Sequence, residues 1–238
     1  MNWLIFFFGL IMGSFYNVII WRIPKKESIL QPGSHCPECN EKLTFVELIP
    51  ILSFILQRGT CRNCRAKISL WYPIVELLTA IGFFGLSYYA VSWQDLIVKL
   101  VFFSLLMISG VIDIRTRILP NVITIPGMVI GLLFAAFGWS ISFKNSLGGI
   151  IVGGGILLLI SLLSRGGMGM GDVKFMALIG SFIGPVAAVV ALFLASFFGA
   201  LLGSIYLFIT KKDRKTPIPF GPFLMLGAFT SYWYLFLL

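Results

Sequence analysis

The chain has 238 residues, 58% of them hydrophobic and only 11% charged, with a mean hydropathy of +0.99. No soluble domain of this size hides that much apolar surface, so the composition excludes soluble classes and points to a polytopic membrane protein. The formal net charge of +9 reads as basic loops facing the cytoplasm and an anionic inner leaflet, with membrane lipids as partners and no nucleic acid.

The first apolar run, 2–21, lacks a basic n-region and a small-residue cleavage site, and is expected to stay as the first span. Residues 22–72 form the one long polar segment. Further apolar runs follow at 73–92, 95–113, 121–141, 147–164, 173–190, 191–210 and 221–238. Each approaches the roughly 20 residues a bilayer requires. The expected fold is an all-α polytopic membrane protein of about eight transmembrane helices with a small cytoplasmic zinc-ribbon-like lobe. Its divisions are a first helix over 1–21, a lobe over 22–72 and a membrane domain over 73–238. Gly184 and Pro185 predict a tight turn between two spans inside 173–210. No internal repeat stands out.

Basic residues set the orientation. Arg22, Lys25, Lys26, Lys42, Arg58, Arg62, Arg65 and Lys67 lie in the lobe; Arg115 with Arg117, Arg165, and Lys211, Lys212, Arg214 and Lys215 follow. Eight spans with the N-terminus outside place all of them in the cytoplasm and leave only Lys144 and Lys99 opposite. Seven spans would send the last cluster outside.

In this topology Asp113 closes the third span and Asp172 opens the sixth, so both carboxylates reach the cytoplasmic boundary. A carboxylate at the centre of a span costs about 2.5–3.5 kcal/mol on insertion scales, less at the edge. Either one alone has a plain explanation: Asp113 paired with Arg115 or Arg117, Asp172 as a helix N-cap. Two at one depth and face point instead to a proton-sharing pair, in which one member activates water and the other polarises a carbonyl. The glycines of GGMGMGDVKFMA would let a substrate backbone approach. The only histidine is His35, so a Ser-His-Asp triad within the membrane is not available. Lys174 either tunes this pair, meets the substrate or snorkels to lipid phosphates. Glu76 is expected to face Lys67 or Arg65. Arg115 and Arg117 either hold phosphates or stabilise Asp113. Pro217, Pro219 and Pro222 around Gly221 break the chain before the last span and are expected near the active-site cleft.

The lobe holds all four cysteines, in SHCPECN (Cys36, Cys39) and GTCRNCR (Cys61, Cys64). Two CxxC knuckles 21 residues apart predict a structural zinc site. Two disulfides are the alternative, which a reducing cytoplasm disfavours. His35 is a spare ligand or a solvated neighbour.

Together these pieces resemble the type IV prepilin peptidases, the prepilin leader peptidase and N-methyltransferase family, over nearly the whole chain. The resemblance runs through GSFYNVIIWRIP, CPEC, FVELIPILSFILQRGTCRNC, ISLWYPIVELLTA, VIDIRTRILPN, GMGMGDVKFMA and PIPFGPFL. It implies that Asp113 and Asp172 are a catalytic pair supported by Gly169, Gly171 and Lys174. It implies precursors with a short basic leader in the cytoplasm and a hydrophobic stem in the membrane, serving pili, competence or secretion. It also implies S-adenosylmethionine as donor for methylating the new N-terminus, for which no site is readable in the residues. The chain departs from the family in the stretch FVELIP, at Trp71, and in LPN where the family has LPD. The other classes compatible with the composition are a transporter using the aspartates as an ion relay, which would need one near the midplane, and a non-enzymatic assembly factor.

Overall fold

The computed structural model describes residues 2–164, 168–210 and 218–237. Arg165, Lys211, Lys212, Arg214, Lys215 and Pro217 lie outside these. The chain divides into two compact units, residues 1–100 and 101–238. Among the described residues the regular structure is helical, with only isolated bridges of β type. Four helical stretches are long and apolar enough to cross a membrane: Asn2–Lys25, Trp93–Thr116, Phe143–Leu163 and Met170–Thr210.

The first unit is built on α1 (Asn2–Arg22) and α3 (Trp71–Tyr88), with the short α2 (Leu52–Leu56) in the polar segment between them. The two long helices run antiparallel. Asn17 donates to the Tyr72 carbonyl at 3.1 Å, and Trp3 meets Phe84 at 5.0 Å. Gly9 and Gly13 form a GxxxG face between these points. A Cβ on Gly13 would stand 2.6 Å from the Glu76 Cα, and one on Gly9 would stand 2.7 Å from the Ala80 Cα. Lipid tails give apolar helices no reason to prefer each other, so such backbone-to-backbone contact is what selects the pairing. At the far end α4 (Trp93–Thr116) begins. There Lys99 is buried, donates to the Tyr89 carbonyl and pairs with Asp95 at 2.7 Å.

The second unit contains the rest of α4, then α5 (Asn121–Ala136), α6 (Phe143–Gly149), a π turn (Ile150–Gly154), α7 (Gly155–Leu163), α8 (Met170–Thr210) and α9 (Gly221–Leu237). Every residue of α4 from Leu106 to Asp113 is buried, so this helix is surrounded on all sides. Phe102 stacks on Phe182 at 4.8 Å.

α8 is one continuous apolar run but not one rod. Gly184 has φ 79° and ψ 177°, outside helical geometry, and Pro185 follows. The Met176 carbonyl and the Ala188 Cβ would both lie within 3.4 Å of a Cβ on Gly153. Twelve residues of straight helix would hold them about 18 Å apart, so the chain reverses at Gly184. The turn expected there exists, but the boundary of the apolar runs falls at 184, not at 190. Continuous hydrophobicity hid it. A Cβ on Gly149 would collide with the Gly180 carbonyl, and one on Gly180 with the Gly149 carbonyl. The outgoing arm meets α9, where the Ser231 hydroxyl donates to the Ala187 carbonyl at 2.9 Å.

Candidate active site

Asp113 lies on the last turns of α4 and is 5% exposed. Its Oδ2 accepts the Gly221 N–H at 2.9 Å. Gly221 opens α9, so the carboxylate meets the positive end of that helix. Only glycine fits there: a Cβ would stand 2.7 Å from Oδ2 and 3.1 Å from both Cβ and Cγ of Asp113. Arg117 acts on Asp113 through its charge. It also closes the helix, donating its own N–H to the Asp113 carbonyl at 2.9 Å from a left-handed φ of 56°.

Asp172 is the third residue of α8, which starts at Met170. It therefore sits inside the first turn and does not occupy the cap position. Its N–H donates to the Gly169 carbonyl at 3.1 Å. Gly171 packs on Leu119, to whose Cβ a Cβ would come within 3.0 Å. The carboxylate is half-buried and feels the charge of Asp113. The end of α4 and the starts of α8 and α9 thus converge on two carboxylates and a backbone donor.

Lys174 is turned to a neighbour of this group. Its Nζ donates to Asn121 Oδ1 at 2.9 Å, tying the second turn of α8 to the first residue of α5. Asn121 is the residue at which LPN departs from LPD, so in this chain the lysine's partner is an amide oxygen.

In the first unit the cysteines meet. One ligand atom from each of Cys36, Cys39, Cys61 and Cys64 lies within 4.8 Å of the other three, and Cys36 Sγ is 3.8 Å from Cys64 Sγ. Disulfide sulfurs sit at about 2.05 Å, whereas sulfurs about 2.3 Å from a tetrahedral metal lie about 3.8 Å apart. The donor set fits a thiolate-bound metal ion. N–H groups of Cys64 and Asn63 point at the Cys61 sulfur and bring its thiol down to about 7, whereas burial and the neighbouring cysteines push the Cys64 thiol up, so Cys61 is the readier thiolate of the two. His35 turns Nδ1 to the Gly33 carbonyl at 2.9 Å, away from a ligand role.

A repeat appears here that residue identity conceals. Cys36 N–H donates to the Glu41 carbonyl and Asn40 N–H to that of Cys36; 25 residues on, Cys61 donates to Ala66 and Arg65 to Cys61. Asn40 and Arg65 are both left-handed, at φ 58° and 57°. The bridges His35 to Lys42 and Thr60 to Lys67 match as well. HCPECNEK and TCRNCRAK share little beyond the cysteines and the lysine, so only the backbone reveals two copies of one knuckle.

Glu76 does not face Lys67 or Arg65 with a hydrogen bond; its Oε2 accepts the Ile51 N–H at 2.8 Å. Gly221 and Asn121 were not singled out as site residues. The first acts through an N–H that no side chain advertises. The second was visible only as a departure from LPD.

The sequence matches two family models: the bacterial peptidase A24 N-terminal domain over residues 7–90, and the type IV leader peptidase family over residues 100–204. A prepilin leader peptidase/N-methyltransferase of Bacillus subtilis is 38% identical, over 97% of this chain and 93% of the relative. One of Pseudomonas aeruginosa is 32% identical, over 94% and 87%. A type 4 prepilin-like proteins leader peptide-processing enzyme of Escherichia coli is 34% identical, over 94% and 90%. No solved structure matches. With both models matched in order and relatives aligned almost end to end, the chain belongs to the type IV leader peptidase family.

Proposed function

We propose that this protein is a membrane aspartic endopeptidase that removes the short basic leader of type IV pilin-like precursors at the cytoplasmic membrane face. The observation that carries the reading is the convergence of Asp113 and Asp172, within reach of each other's charge, beside the Gly221 N–H. Close carboxylates share one proton. The unprotonated member takes a proton from water as its oxygen adds to the scissile carbonyl carbon. The protonated member donates to the carbonyl oxygen. The tetrahedral diol then returns one hydroxyl proton to the ionised aspartate, the C–N bond breaks, and the leaving amine takes up the proton held by the other, which restores the shared-proton pair. Gly169 leaves room for the substrate strand beside the Asp172 carboxylate, Gly171 lets the α8 start pack on Leu119, and Lys174 with Asn121 holds that start in place.

The protein is further read as methylating the new N-terminal amine, in line with the names of its relatives. S-adenosylmethionine would supply the methyl group for that amine. The four cysteines would hold a structural zinc, which gives the lobe a fold it is too small to make by core packing alone.

We read the chain as eight spans with the N-terminus outside, a topology in which the site would lie at the cytoplasmic face. α8 contributes two of them, through its reversal at Gly184. The charge asymmetry is sharper than the residue list suggests, because Lys99 is neutralised by Asp95.

The test is cleavage of a pilin-like precursor by purified protein, repeated with Asp113→Asn and with Asp172→Asn. Both variants should be inactive; cleavage surviving in either one overturns the dyad.

A further inference from the structure

The first unit carries an apolar edge that the peptidase reading does not use. In the segment 45–56, Phe45 is 92% exposed, Ile55 61% and Leu56 73%, and Val46, Ile49 and Leu52 are exposed as well. Such a patch on a basic polar lobe calls for a partner, and its depth relative to α1 and α3 says which.

Trp21 and Tyr72 stack at 6.1 Å where the lobe leaves α1 and enters α3, and Lys25 lies 5.4 Å over the Trp21 ring. Aromatic rings with a cation above them mark the headgroup level of a membrane helix pair. Glu76 lies one turn beyond Tyr72 along α3, about 6 Å toward the middle of the bilayer. Yet Glu76 holds the Ile51 N–H at 2.8 Å and also accepts from the Ser14 hydroxyl. The lobe therefore does not stand off above the helix pair. Its tip reaches down beside it, past the aromatic level.

The backbone at that tip is strained. Ile51 has φ 61° and ψ −50°, and Leu52 N–H closes onto the Pro50 carbonyl at 2.6 Å. This is the rare γ-turn form, and a β-branched residue is poorly suited to it. Glu76 pins the strained amide, so the carboxylate fixes where the chain turns back. The charges agree with a lipid partner. Lys42 precedes the apolar edge, and Arg58, Arg62, Arg65 and Lys67 follow it. The one acid inside it, Glu47, folds onto its own Thr44, accepting the N–H at 2.9 Å and the hydroxyl at 2.8 Å. Leu70 and the exposed α3 residues Trp71, Ile74 and Leu78 continue the apolar surface along the helix.

We infer that segment 45–56 is an interfacial anchor whose side chains enter the headgroup–acyl boundary of an anionic leaflet on the lobe's side, at a depth set by Glu76. Anchors of this kind bury an apolar face about 5–10 Å into that boundary, which agrees with one helical turn below the aromatic level.

The test uses the full chain in vesicles of phosphatidylcholine and phosphatidylglycerol, with a fluorescent coumarin amino acid placed at Leu56 or, as control, at Glu38 in the first knuckle. Quenching is read with lipids brominated near the headgroup end of the acyl chain, and with aqueous iodide. At Leu56 the bromolipid should remove about half the signal and iodide very little, given the expected depth; Glu38 should show the reverse. Strong iodide quenching at Leu56 overturns the anchor. So does protection from both quenchers, which would mean that protein, such as a second copy of the chain, covers the patch. Glu76→Ala should shift Leu56 toward iodide; unchanged quenching there would overturn the depth-setting role of Glu76.

Discussion

Replacing Gly221 by alanine tests whether the α9 amide is part of the active site or only packs beside it. The added Cβ would stand 2.7 Å from Asp113 Oδ2, where ordinary contact begins at 3.4 Å. Rotating the carboxylate does not clear it, because Asp113 Cβ and Cγ are also too near, at 3.1 Å. The whole side chain must retreat by roughly 0.7 Å, and the 2.9 Å bond from the Gly221 N–H lengthens or breaks. A hydrogen bond to a charged group is worth about 1.5–3 kcal/mol, and misplacing a catalytic group by about 1 Å can cost about a hundredfold. At about 1.4 kcal/mol per tenfold, the expected fall in kcat for leader cleavage is about 10- to 150-fold. KM should stay within about threefold, since the precursor's remaining contacts are untouched. The fold should survive, with the unfolding transition in detergent moved by only a few degrees, because α9 loses one terminal bond. A kcat within about threefold of the parent would refute the positioning role. So would a loss of activity that simply follows a collapsed unfolding transition, which would leave Gly221 as a packing residue.

The cysteine cluster predicts close to one zinc per chain by elemental analysis of protein kept reduced. Stripping it with a chelator should expose the segment 23–70 to limited proteolysis while α1 and α3 stay protected; a metal-free lobe that resists protease would count against a structural metal. Lys174→Met should lower kcat by less than about tenfold, because Lys174 bonds to Asn121 and not to an aspartate, and an exposed hydrogen bond of this kind is worth about 1 kcal/mol at most. Asn121→Asp should retain or slightly raise activity by turning that bond into an ion pair. A Lys174→Met enzyme as dead as Asp172→Asn would place the lysine in the chemistry itself.

The residues that were legible in the sequence are those that are chemically out of place. A carboxylate in an apolar run and a thiol pair in a polar segment each carry a cost or a reactivity that spacing alone interprets, so Asp113, Asp172 and the four cysteines could be singled out. What stayed hidden works through the main chain. Gly221 contributes an N–H and the absence of a Cβ. Glu76 has the amide of a strained turn as its partner, and a search for opposite charges looks past it. Gly9 and Gly13 bring two helices together through the side chains they lack. The reversal at Gly184 was foreseen from Gly-Pro, but hydropathy does not change across it, so the run boundaries slipped by six residues. The doubled knuckle repeats hydrogen bonds and a left-handed φ more than it repeats residues.

The antiparallel pairing of α1 and α3 has a consequence for how the chain is made. The lobe begins and ends at touching rings, Trp21 and Tyr72. It is a detour out of a helical hairpin that closes through its own glycine face. The hairpin can therefore assemble during membrane insertion with the detour still unstructured, and the lobe can take its shape at any time afterwards, because both knuckles have already emerged when α3 inserts. With the proposed metal in the lobe, biogenesis would have two separate checkpoints, one governed by lipid and one by metal supply. A cell short of the metal would still insert the protein, and the deficit would be confined to the one loop that can be completed later.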